Sequence, residues 1–129
     1  MDDAAAPILL VEDDPSMRDA LVTLLEGEGY SVRCAENGRQ ALDVLARSET
    51  PSLILLDLMM PVMDGWQFLA ARRQVENADA RGTPVVLLSG LGFIRGASDV
   101  ADFLRKPIDA EALLGCVRRF ARASTHPTV

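Results

Sequence analysis

Leu53-Ile54-Leu55-Leu56-Asp57-Leu58-Met59-Met60-Pro61-Val62-Met63-Asp64-Gly65 runs four apolar residues straight into an aspartate, with a proline, a second aspartate and a glycine close behind. An apolar run this short, bounded by Pro51 and Pro61, predicts a strand buried on both faces. Asp57 then stands where the strand ends, which in an open parallel sheet is the edge where ligands bind.

The same pattern recurs on both sides. Ile8-Leu9-Leu10-Val11 ends in Glu12-Asp13-Asp14, and Val85-Val86-Leu87-Leu88 ends in Ser89-Gly90. Tyr30 to Ala35 has mixed alternation and reads as a further strand, and Asp102-Phe103-Leu104 as a short one leading into Arg105-Lys106-Pro107. Helices fall between them. Asp14 caps the first and Pro15 opens it, with Met17, Leu21, Leu24, Leu25 and Ala20 inward and Gly27 and Gly29 as its stop. Asn37 caps the second, with Gln40 at the capping-box position and Ala41, Leu42, Leu45 and Ala46 inward. Asp64 caps a third from Gly65 to about Asn77, with Phe68, Leu69 and Val75 apolar, and Arg81-Gly82-Thr83-Pro84 reads as a turn. Leu91 to Ser98 lacks clear periodicity and allows at most a short helix. Asp109 caps the last one, with Leu113, Cys116, Val117 and Phe120 inward. Alternation of this kind implies right-handed crossovers and a doubly wound α/β fold, a five-stranded parallel sheet with helices on both faces.

A chain of 129 residues predicts a single domain over 1–129, with a core from about 7 to 122 and loose ends at 1–6 and 124–129. A net charge of −6 and a pI near 4.7 leave no basic face for direct contact with nucleic acid. No apolar run approaches a membrane span, and the acidic start Met1-Asp2-Asp3 is unlike a signal peptide, so a cytoplasmic protein is expected. Cys34 and Cys116 are far apart and read as reduced core residues; the only histidine, His126, lies in the tail, away from either.

In a parallel sheet the strand ends share one edge. Glu12, Asp13, Asp57, Ser89 and Lys106 therefore converge there: carboxylates, a hydroxyl and an ammonium. Clustered acids repel, and protonation or a divalent cation relieves the repulsion. Oxygen ligands without histidine or thiol suit Mg²⁺. A metal-neutralised carboxylate beside a lysine and a hydroxyl can attack phosphorus.

These stretches together resemble the receiver domain of bacterial two-component response regulators: Ile8 to Asp14, Asp57 to Gly65, Leu88-Ser89-Gly90 and Phe103-Leu104-Arg105-Lys106-Pro107, in the right order between about 7 and 122. The resemblance implies a flavodoxin-like fold of the receiver type. It also implies Mg²⁺-dependent transfer of a phosphoryl group to Asp57 from a phosphohistidine of a sensor histidine kinase or phosphotransfer protein. Carried over by position, Glu12, Asp13, Asp57 and the backbone carbonyl of Met59 are the metal ligands. Lys106 is the cation that pairs with the phosphoryl group, Ser89 the hydroxyl that moves to it, and Phe103 the aromatic switch that turns inward afterwards.

Two departures stand out. The stretch from Ser89 to Lys106 is short for the family, so the helix between the fourth and fifth strands is expected to be reduced, which leaves a monomer or weak dimer rather than the usual dimer. Phe103 lacks the hydroxyl that many relatives carry. Blander readings apply to neighbouring residues: Asp14 as a cap rather than a ligand, Phe103 as plain core, Trp66 half exposed and packing, and Met59, Met60 and Met63 as loop packing. The Lys106–Pro107 isomer is open at this level. With no effector segment after Phe120, a stand-alone receiver acting through an unknown output protein is expected. A phosphorylation-independent interaction module would suit a chain lacking an acid or the lysine. An aspartate-nucleophile phosphatase needs a second acid two residues after the nucleophile, and Met59 stands there.

Overall fold

A computed structural model describes residues 6–47, 50–60, 62–76, 78–90 and 100–121. In chain order the elements are β1 (Ile8–Val11), α1 (Pro15–Gly27), β2 (Val32–Ala35), α2 (Gly38–Arg47), β3 (Leu53–Asp57), α3 (Gly65–Arg72), α4 (Ala78–Gly82), β4 (Val85–Ser89), β5 (Asp102–Arg105) and α5 (Ala110–Phe120). The five strands form one parallel sheet in the order β2-β1-β3-β4-β5. The doubly wound α/β architecture read from the sequence is the one observed.

Strand alternation divides the core in two. Leu9, Val11, Ile54, Leu56, Val85 and Leu87 point to the face covered by Ala41 and Leu45 of α2 and by Phe68 and Leu69 of α3. Ile8, Leu10, Leu53, Leu55, Val86 and Leu88 point to the other, covered by Leu21 and Leu25 of α1 and by Leu113, Cys116 and Val117 of α5. Every residue of β1, β3 and β4 is buried, which is why these strands are continuous apolar runs. The helix starts follow their caps. Asp14, Asp64 and Asp109 each accept a backbone N–H from the first turn, and Asp64 with Gln67 completes a capping box. Asn37 Oδ1 accepts the Gln40 N–H at 2.9 Å, but the Gln40 side chain reaches back one residue further, to the Glu36 N–H.

Several details differ from the sequence reading. α3 stops at Arg72 instead of running to about Asn77, and α4 occupies Ala78–Gly82 where a turn was expected. α3 ends as the N–H groups of Arg73, Gln74 and Val75 donate three residues back, to Ala70, Ala71 and Arg72, in place of the α-helical pattern. Arg72, only 6% exposed, then sets α4: its guanidinium donates to the carbonyls of Ala80, Arg81 and Thr83, anchoring the short helix to the end of α3. β2 begins at Val32, while Tyr30 is buried ahead of it as an anchor. Cys34 is exposed instead of in the core, because β2 is an edge strand that the helices cover incompletely. Ala20 and Ala46 are exposed on the outer flanks of α1 and α2. Met60 and Met63 pack as expected, but Met59 is 67% exposed. The Lys106–Pro107 bond is cis. The reduced helix expected after β4 falls on residues 91–99, and the loose tail on 124–129; both lie outside the described residues. Of the loose start at 1–6 only Ala6 is described, and its carbonyl accepts the Ser52 hydroxyl. No helix among the described residues is long and apolar enough to cross a membrane.

Candidate functional site

Because all strands run the same way, their C-terminal ends line one edge. Asp57 closes β3 level with Leu88 of β4, and Ser89 closes β4 level with Arg105 of β5. Glu12 and Asp13 follow β1 directly, and Lys106 follows β5 directly. Glu12, Asp57 and Ser89 are buried, so three polar side chains sit where water cannot satisfy them freely.

The fold brings the predicted charges together. Ligand oxygens of Glu12, Asp13 and Asp57 all lie within 4.8 Å of one another. Lys106 Nζ stands 3.2 Å from Asp57 Oδ1 and 3.2 Å from Glu12 Oε1. Burial pushes the Glu12 carboxyl above its ordinary range and the Asp57 charge adds to this; the Asp14 N–H on Oε2 and the Lys106 ammonium pull the other way without prevailing. Burial would lower the Lys106 ammonium, but Asp57 and Glu12 outweigh it and hold it above its ordinary value. Among the described residues, the Lys106 ammonium thus pairs with two buried acids, with a third beside them. Three acids around that ammonium form an all-oxygen donor set that fits Mg²⁺.

The surrounding contacts hold these groups in place. Arg18, in the first turn of α1, donates to the Glu12 carbonyl at 2.9 Å. The Met59 N–H donates to Asp57 Oδ1 at 3.3 Å, which sets the start of the β3–α3 loop against the carboxylate. The Ser89 carbonyl accepts the Lys106 N–H at 2.7 Å and ties the last residue of β4 to the lysine's own backbone. Phe103, two residues into β5, is partly buried and packs on the α2/α3 side of the sheet. Glu12, Asp13, Asp57 and Lys106 therefore meet directly. Ser89 and Met59 adjoin them through the backbone, and Phe103 stands further down its strand. The sequence reading missed Arg18 and the contact of Gly38 with Met63. Arg18 carries no signal apart from its place in a first turn, while a glycine directly after the Asn37 cap is a poor helix former with no local reason to be there.

Comparison with known proteins identifies the family to which this fold belongs. Residues 8–118 match the family described as the response regulator receiver domain. The transcriptional regulatory protein GlrR of Escherichia coli is 42% identical over 113 residues, which is 84% of this chain but 24% of that protein. Protein PilH of Pseudomonas aeruginosa is 36% identical over 117 residues, 84% of this chain and 92% of that one. The chain thus spans about a quarter of the first regulator and nearly all of the second. Among solved structures, chemotaxis protein CheY4 of Vibrio cholerae superposes with a TM-score of 0.79 at 30% identity, covering 91% of this chain and 99% of that one. The receiver domain of a sensor histidine kinase from Pseudomonas aeruginosa PAO1, with a magnesium ion coordinated in its active-site cleft, gives 0.78 at 28% identity, covering 91% and 98%. The chain belongs to the response regulator receiver family, and is a signalling domain of two-component systems rather than a conventional enzyme.

Proposed function

We propose that Asp57 is the phosphoacceptor of this receiver and takes its phosphoryl group from the phosphohistidine of a sensor histidine kinase or phosphotransfer protein. The observation that carries the reading is the buried Asp57 carboxylate with the Lys106 ammonium 3.2 Å away, beside two further acids. An Asp57 oxygen forms the new P–O bond as the P–N bond to histidine breaks. The electron pair returns to the imidazole nitrogen, which takes up a proton from solvent.

Glu12, Asp13, Asp57 and the Met59 carbonyl would hold Mg²⁺, which when bound supplies positive charge to the transferring oxygens. Lys106 is already placed between two carboxylates, and pairs with a phosphoryl oxygen once the group sits on Asp57. Ser89, at the end of the neighbouring strand, donates its hydroxyl to another phosphoryl oxygen. Phe103 then moves inward, and that two-state change on the β4–β5 side alters the surface offered to the output protein. The reaction belongs to the cytoplasm, with a single receiver domain of about residues 7–122, monomeric or weakly dimeric, as the responding unit.

Acetyl phosphate with Mg²⁺ should add one phosphoryl group to the wild type and none to Asp57→Asn, read by intact mass. No addition to the wild type, or equal addition to both, overturns the assignment.

A further inference from the structure

The loop between β3 and α3 is pinned at two glycines. Gly65, at its base, donates its N–H to the Leu58 carbonyl at 3.0 Å, and a Cβ there would come within 2.9 Å of the Asp57 carbonyl oxygen and of Leu58 Cα. The second pin comes from another element. Gly38, in the first turn of α2, donates its N–H to the Met63 carbonyl at 3.0 Å. A Cβ on Gly38 would lie 2.7 Å from Met63 Cγ and 2.9 Å from the Met63 carbonyl oxygen, closer than real Cβ atoms come.

Between the pins the chain passes through Val62 at φ 67°. That left-handed conformation is unfavourable for a β-branched residue. The Val62 side chain is 78% exposed, so its own packing does not hold it there. The restraint comes from the residue after it. Met63 is partly buried against the α2/α3 core, its carbonyl is held by Gly38, and the α3 capping box begins immediately beyond at Asp64. The other limb of this loop carries Met59, whose N–H is bonded to Asp57 Oδ1.

We propose that Gly38 is a positioning residue for the Asp57 site: through its N–H and its missing Cβ, α2 clamps Met63 and keeps the β3–α3 loop set with Met59 against Asp57. The inference rests on the phosphoacceptor reading of Asp57. Released from the clamp, Val62 returns to an ordinary backbone conformation and the loop shifts with it. Both Mg²⁺ binding and phosphoryl uptake then weaken, although Gly38 touches neither.

The test compares wild type, Gly38→Ala and Gly38→Ala/Met63→Ala as full chains. MgCl₂ titration is followed by Trp66 fluorescence, and acetyl phosphate labelling by intact mass. Gly38→Ala should raise the half-saturating Mg²⁺ concentration by about 10-fold, the scale on which groups behind metal ligands act, while unfolding stays cooperative. Met63→Ala removes the Cγ and Sδ that the new Cβ meets but leaves the Met63 carbonyl oxygen 2.9 Å from it and gives up the packing of Met63, so the double variant should not regain the wild-type half-saturation. Glycolic acid in place of Gly38 deletes the N–H without adding a Cβ; it should shift the titration the same way, and it decides the matter if the alanine variant does not fold. Half-saturation unchanged in both the alanine and the ester proteins overturns the proposal. A wild type that binds Mg²⁺ but takes up no phosphoryl group refutes the phosphoacceptor reading instead, and the same titration still decides the clamp.

Discussion

Lys106→Met tests the charge balance of the site without touching a carboxylate. The ammonium lies 3.2 Å from both Glu12 and Asp57. At that distance, and an effective dielectric of about 20, each contact is worth roughly 5 kcal/mol of attraction before desolvation is counted. Lys106 is 25% exposed, so solvent screens part of it. The rest is offset by the cost of burying the ammonium, leaving a net loss toward the low end of the roughly 3–5 kcal/mol expected when one partner of a buried pair is removed. Methionine keeps most of the aliphatic stem, so the loss is electrostatic. In urea unfolding followed by the single tryptophan, Trp66, the metal-free variant should have a lower midpoint with an unchanged slope. Mg²⁺ then replaces the missing charge. At about 100 times its Kd a ligand of the native state adds ~2.7 kcal/mol, and the variant, with no ammonium competing for Glu12 and Asp57, should bind it more tightly than wild type. The gap between the proteins should therefore narrow as Mg²⁺ is added. A metal-free variant as stable as wild type, or a gap indifferent to Mg²⁺, refutes the picture of one lysine serving two buried acids.

Glu12→Gln should separate from wild type in a pH-dependent way. The folded Glu12 pKa is raised, so its protonation stabilises the fold fully below the unfolded value near 4.5, and that contribution is lost as pH rises through the folded value. The metal-free variant should thus be the more stable of the two at neutral pH, with the difference closing on acidification; a constant difference in urea midpoint contradicts this. Arg72→Met leaves the carbonyls of Ala80, Arg81 and Thr83 without their buried donor and should cost about 2–4 kcal/mol in the same assay. Arg72→Lys should recover only part of it, since an ammonium lacks the planar fork; full recovery would show that charge alone suffices. Cys34 is exposed, whereas Cys116 is buried and its thiol is pushed up to about 11 by burial and by Asp102. Iodoacetamide on the native protein at mildly alkaline pH should therefore modify Cys34 well before Cys116, read by peptide mass.

Much of this molecule is legible in one dimension because of its topology. β1, β3 and β4 are covered on both faces, so they appear as unbroken apolar runs with a polar residue at each end. Parallel pairing then assembles those ends without any spacing rule, which is why the sequence alone brings Glu12, Asp13, Asp57, Ser89 and Lys106 to one edge. Caps were equally plain at Asp14, Asp64 and Asp109, since an aspartate before an apolar helical pattern acts locally. What escaped depends on distant contacts. α4 is five residues long and owes its place to Arg72, on the preceding helix. Cys34 is an apolar-type residue on an edge strand; the mixed pattern around Ser31 and Arg33 distinguishes β2 from the buried runs, but it does not say which of its residues the helices leave open. Gly38 meets Met63 across two elements, and the left-handed Val62 between loop pins has no sequence signature of glycine or asparagine.

The role proposed for this edge of the sheet is to carry a phosphoryl group on Asp57. Intact-mass measurement after acetyl phosphate treatment tests it most directly, with Mg²⁺ present or chelated and with Asp57→Asn alongside. One added phosphoryl group on the wild type in Mg²⁺, lost on chelation and absent from the variant, is the predicted result. An unmodified wild type, or modification that persists in Asp57→Asn, would contradict it.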